Sequence, residues 1–194
     1  MKKLLLSSFA AGISIGIAGL AFLKTGNAWV FPIGLLMVCF FSFYLFTGQV
    51  CYANVKDTSK LIMMLCMNIV GAVFLGIITH FAYPELAQKA IELVTVKFTE
   101  GAWVFPRAIL CNIMIFVAVH GWKNLPAPNN IITLIFATAI FVLGGFEHCI
   151  ANAYYFGCAG IFSTDILWYL PVNIIGNAIG GIGIYRTIKC LDRW

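Results

Sequence analysis

Apolar residues fill the chain in long runs parted by short polar, glycine- or proline-bearing stretches. Six runs are long enough to cross a bilayer, at about 4–23, 28–55, 60–83, 103–121, 131–160 and 166–187. The pattern predicts an all-α membrane protein of six transmembrane helices in one domain over residues 1–194, with no room for a soluble domain. The second and fifth runs exceed the roughly 20 residues that cross the hydrocarbon. Both carry polar or glycine interruptions in mid-course, near Ser42 to Gly48 and near Gly144 to Asn152. Each reads as a broken helix, because non-helical backbone at that depth survives only when buried in protein or lining a wet cavity. The first run follows Lys2 and Lys3 in the manner of a signal peptide, but the spans after it argue for a retained helix.

Asn68-Ile69-Val70-Gly71 in the third run is echoed by Asn173-Ile174-Ile175-Gly176 in the sixth. Three spans separate the copies, which therefore cross in opposite directions. With the two over-long runs in equivalent places, this is the weak symmetry of a 3+3 inverted repeat, and two broken helices meeting at the midplane mark a transport site. Trp29-Val30-Phe31-Pro32 recurs at Trp103-Val104-Phe105-Pro106 in non-equivalent spans and reads as coincidence. Gly12, Gly16 and Gly19, then Gly176, Gly180, Gly181 and Gly183, are spaced for close helix packing.

Composition agrees, since 62% of residues are hydrophobic and 10% charged, more apolar surface than a soluble core can use. Eight of the twelve Lys and Arg (Lys2, Lys3, Lys56, Lys60, Lys123, Arg186, Lys189 and Arg193) fall at the termini and alternate loops; Lys24, Lys89, Lys97 and Arg107 fall on the other side. By the positive-inside rule both termini are expected in the cytoplasm, the chain lying in the inner membrane. The net charge of +5 thus reports topology and not nucleic-acid binding. Four of the seven cysteines, Cys39, Cys66, Cys111 and Cys149, lie inside spans without metal-ligand spacing and read as small apolar residues. No metal or cofactor is expected.

The run Gly144-Gly145-Phe146-Glu147-His148-Cys149-Ile150-Ala151-Asn152 places an acid and an imidazole inside an apolar span, where ionisable groups are expensive and usually functional. Two readings stand side by side: a Glu–His pair satisfied by helix-end backbone groups that fixes the break, and a group that meets what passes. Glu147 is assigned the first role and His148 the second. His80 and His120 lie near span ends, where histidine is ordinary.

Phe146-Glu147-His148-Cys149-Ile150-Ala151-Asn152 resembles the Phe-Glu-His-Ser-x-Ala-Asn signature of the formate/nitrite transporter family. Leu45-Phe46-Thr47-Gly48 resembles that family's loop in the broken second helix, Arg107-Ala108-Ile109-Leu110-Cys111-Asn112 its fourth helix, and Asn173-Ile174-Ile175-Gly176-Asn177-Ala178-Ile179-Gly180-Gly181 its sixth. The resemblance spans essentially the whole chain, as a compact member with short termini and without the usual N-terminal extension. It implies an aquaporin-like helical fold, a homopentamer with one pore per protomer, and passage of formate, nitrite, hydrosulfide or their acids. It also implies that Phe31, Leu35 and Leu45 with Thr47 constrict one side of the pore, that Phe141, Ile115 and Ala151 line it elsewhere, that Asn112 is a polar pore contact, and that His148 is the central imidazole. Glu147, Asn152, Asn173 and Asn177 are expected as structural support.

The chain departs from the family pattern before Leu45. Phe41, Ser42 and Tyr44 stand where the family has Thr-Gly and an acidic residue, so the loop's hydrogen bonding is expected to differ. The family's vestibule lysine would fall on Val96; a one-residue deletion brings Lys97 into register as an anion attractor, with Lys89 as the fallback. Against the channel reading stands a membrane-embedded enzyme using Glu147 and His148, for which no second constellation is found. The paired Asn-Pro-Ala motifs of a water or glycerol channel are missing, and a purely structural subunit would leave His148 and the paired breaks without a reason.

Overall fold

The computed structural model describes residues 1–191; Arg193, counted above among the basic residues of the C-terminus, lies outside them. The described chain folds into nine α-helices: α1 Lys2–Thr25, α2 Pro32–Phe40, α3 Phe46–Val50, α4 Thr58–Ala82, α5 Pro84–Thr99, α6 Val104–Asn124, α7 Asn129–Leu143, α8 Cys149–Ala159 and α9 Ile166–Cys190. Helices α1, α4 and α9, and α6 with the turn before it, are each long and apolar enough to span a membrane. Pairs α2/α3 and α7/α8 are the two broken crossings. α4 leaves Ile62, Val70, Phe74, Ile77 and Phe81 on the outside, an apolar exterior that suits lipid or a neighbouring protomer and not water.

The breaks occupy residues 41–45 and 144–148, so Phe46–Gly48 and Cys149–Asn152, expected within the interruptions, are already helical. The two breaks share one backbone pattern. In the first, Phe41 N donates to Met37 O, Ser42 N to Cys39 O and Phe43 N to Val38 O; in the second, Gly144 N donates to Ile140 O, Gly145 N to Val142 O and Phe146 N to Phe141 O. Ser42 and Gly145 both have positive φ, 54° and 62°. Ser42, where the family has glycine, adopts the left-handed conformation that Gly145 adopts without penalty.

Matching asparagines hold the breaks. Asn68 Oδ1 accepts from Phe46 N at 2.7 Å, and its Nδ2 donates to Tyr44 O and Ser8 O. Asn177 Oδ1 accepts from Cys149 N at 3.0 Å, and its Nδ2 donates to Glu147 O and Ala108 O. Each amide thus ties a long helix, the residues flanking a break, and the first helix of its half. The close contacts repeat as well: a Cβ on Gly71 would collide with Phe9 O, and one on Gly180 with Ile109 O. The repeat therefore pairs α1–α4 with α6–α9 and sets Asn68 opposite Asn177 and Gly71 opposite Gly180. The echo of Asn68 at Asn173 is one helical turn out of register.

α5 was not anticipated. It turns Leu86, Ala87, Ala90 and Val94 inward, a stripe at helical spacing that packs on α8, and Pro84 starts it. A search for 20-residue apolar runs passes over such an amphipathic helix.

Candidate pore site

The two breaks meet. His148 and Leu45 hold the same place in the two halves, each capping the short helix that follows, in extended conformation. Thr47, in the first turn of α3, places its Oγ1 3.0 Å from His148 Nε2. The opposite ring nitrogen, Nδ1, accepts from Ala151 N at 3.2 Å, so the imidazole is the side-chain cap of α8. A backbone N–H can only donate. Nδ1 is therefore unprotonated, the proton of the neutral ring sits on Nε2, and Thr47 Oγ1 receives it. That leaves the Thr47 hydroxyl hydrogen available to another acceptor. Thr47 O in turn accepts from Asn112 Nδ2 at 3.1 Å, while Asn112 Oδ1 is buried with no partner among the described residues.

Two chambers approach this pair. One of about 930 Å³ is lined by Lys2, Lys3, Tyr44, Leu45, Gly48 and Lys123, among others. The second, about 100 Å³, is lined by Phe31, Lys97, Phe141, His148, Ala151 and Tyr155, among others. Lys2 lines the first and Phe22 the second, so the chambers open toward opposite ends of α1. The Thr47–His148 bond joins the segment that lines one chamber to the segment that lines the other.

Phe31 was expected beside Leu45 on one side of the constriction. It stands instead against Phe141, ring centroids 5.4 Å apart, in the smaller chamber, because it starts α2 where α1 ends, with Phe22 6.5 Å away. Phe141 also stacks on the His148 ring at 5.8 Å. Leu35 and Ile115 are buried in the apolar core.

Glu147 does not pair with His148. Its carboxylate, 1% exposed, accepts from Lys97 Nζ at 2.7 and 2.8 Å, from Asn152 Nδ2 at 2.7 Å and from the Tyr169 hydroxyl at 2.6 Å. A buried carboxylate needs such satisfaction. Lys97 thus lines the chamber as half of an ion pair and not as a bare cation. The fallback, Lys89, donates to Leu23 O at the end of α1. Asn152 Nδ2 donates to Glu147, and Asn177 bonds the second break. Asn173 is fully buried, and its amide bonds nothing among the described residues. Sequence reasoning missed Tyr169, and Asn68 as the counterpart of Asn177; partners 22 residues apart or more carry no local signal.

The sequence pattern described as Formate/nitrite transporter matches residues 1–191. The chain belongs to the formate/nitrite transporter family. Among its relatives is "Formate channel FocA" of Haemophilus influenzae, 27% identical over 92% of this chain and 85% of its own. The "Probable formate transporter" of Methanothermobacter thermautotrophicus is 30% identical over 93% of this chain and 85% of its own. A solved pentameric formate channel with formate bound has the same fold, with a TM-score of 0.86 at 21% identity over 98% of this chain and 97% of that one. These relatives are named as channels and transporters, which removes the embedded-enzyme alternative. The family and the long apolar helices make this a multi-pass membrane protein and an anion channel.

Proposed function

We propose that each protomer passes small monovalent anions of weak acids (formate, nitrite or hydrosulfide) as the neutral acid past the Thr47–His148 pair. It does so as one fifth of a homopentamer in the inner membrane, with both termini cytoplasmic. The observation that carries this reading is the pair itself, a hydroxyl and an imidazole held 3.0 Å apart where two broken helices meet. Stripping a bare anion of water between Leu45 on one side and Phe31 and Phe141 on the other costs many kcal/mol, whereas the protonated acid avoids most of that cost.

The use of His148 Nδ1 as a helix cap bears on who carries the proton. Protonating the ring would set an N–H against the Ala151 N–H and break the cap. The imidazole is therefore suited to remain neutral, and the anion to take its proton before it reaches the constriction. Nε2–H and the Thr47 hydroxyl then form a short donor relay along which the acid slides, with Asn112 Oδ1 as an acceptor for its O–H. The Lys97–Glu147 pair holds the second break in shape and leaves one ammonium hydrogen for the smaller chamber. The basic residues Lys2, Lys3 and Lys123 at the larger chamber draw anions on the other side.

The test is uptake into proteoliposomes of formate, nitrite, hydrosulfide and glycerol across pH 5 to 8, for the wild-type protein and His148→Phe. Anion flux that rises as pH falls in the wild type, and collapses across the whole range in the variant, is expected. A variant that matched the wild type at every pH would end the reading.

A further inference from the structure

On α8 the side chains facing the smaller chamber are His148, Ala151, Asn152 and Tyr155. The spacing i, i+3, i+4, i+7 is one face of a helix, so Tyr155 lies two turns, about 10 Å, along the axis from His148. The polar groups on this stripe are not equally occupied. His148 uses both ring nitrogens, and Asn152 gives one N–H of its amide to Glu147. The Tyr155 hydroxyl makes no hydrogen bond among the described residues, although its ring is packed against Tyr154 at 5.5 Å and the residue is 5% exposed. Across the chamber, Lys97 spends two donors on the two oxygens of Glu147, and the third N–H of the ammonium is left. The chamber is therefore apolar on most of its walls, with Phe22, Phe31, Leu93 and Phe141, and is lined by residues with uncommitted donors on different helices, Lys97 on α5 and Tyr155 on α8, beside the second N–H of Asn152.

We propose that this chamber is a staging site for one small oxyanion with two oxygens on a single atom, a carboxylate or nitrite, held between the Tyr155 hydroxyl and the Lys97 ammonium before it moves on to Thr47 and His148. The inference rests on the channel reading above and adds a preference within it. Two donors from two helices suit two acceptor oxygens; hydrosulfide, with one heavy atom, satisfies one donor at a time. At about 100 Å³ the chamber has room for one such ion and little else, since each water takes roughly 30 Å³. Tyr155 is a specificity-determining residue on this account and takes no part in moving the proton.

The experiment compares wild type and Tyr155→Phe in proteoliposomes, reading half-saturation concentration and maximal rate separately for formate, nitrite and hydrosulfide, from the side of the smaller chamber. Tyr155→Phe keeps the ring and removes only the hydroxyl; equal elution of the two proteins as assembled oligomers controls for folding. The expected result is a rise of about tenfold in half-saturation for formate and nitrite, the effect of one hydrogen bond to a charged group, with maximal rate little changed and hydrosulfide unaffected. Unchanged formate and nitrite kinetics, or an equal change for hydrosulfide, would overturn the staging site and leave the channel reading standing. A wild type that carried none of the three anions would overturn both.

Discussion

The two halves of the molecule build the same break and put different chemistry in it. Around residues 41–45 and 144–148 three backbone bonds that form the break correspond, an asparagine amide from the next long helix ties each break, and the left-handed residue falls at the same position. At the cap one half carries Leu45 and the other His148; just before it stand Tyr44 and Glu147. Even the amide there is served differently, Tyr44 N donating to Ser7 Oγ and Glu147 N to Arg107 O. The scaffold is therefore separable from what it displays. Asparagine and glycine make the shape, and the residues at the cap and before it decide whether that side is a greasy ring or an ionised, hydrogen-bonded one.

Three substitution sets break or sharpen this comparison in the thermal unfolding of the purified detergent-solubilised protein. The largest contrast is before the cap. Glu147→Leu leaves Lys97 buried without its carboxylate and is expected to cost about 3–5 kcal/mol, whereas Tyr44→Phe, which removes a hydroxyl bonded to nothing among the described residues, leaves the midpoint where it was. Equal effects would mean that the halves are chemically alike after all. Next come Asn68→Ala and Asn177→Ala. Each strips partners from two carbonyls and one N–H, and each is expected to cost about 3 kcal/mol; a silent member of the pair would show that the repeat is one of shape and not of mechanics. The smallest effect has the opposite sign. Ser42→Gly relieves a positive φ that Gly145 tolerates in the other half, and a gain of about 1 kcal/mol is expected.

Much of this was legible beforehand because it is written locally. Run lengths exposed the two broken crossings, and the Phe146–Asn152 motif singled out His148. What was not legible is held by partners far apart in the chain. The echo of Asn68 at Asn173 was a better letter match than Asn177, but only the bonds to the second break identify the true counterpart. Lys97 read as a lone attractor because nothing in the sequence brings it to Glu147, 50 residues away. α5 carried a signal of its own, the Leu86-Ala87-Ala90-Val94 stripe, that a search for uniform hydropathy averages out.

The unequal chambers also decide how the protein meets a membrane voltage. A chamber of about 930 Å³ reaching down to Leu45 would, once filled by water, extend the bulk electrolyte into the protein, so that little potential drops along it. The field is compressed into the thin closed layer between Leu45 and Phe31, and a bare anion crossing that layer would feel nearly the whole of it, about 2.3 kcal/mol per 100 mV. A neutral acid feels none. On the proposed reading, flux past Thr47 and His148 as the acid would be electrically silent, following the concentration and pH differences across the membrane whatever the resting potential.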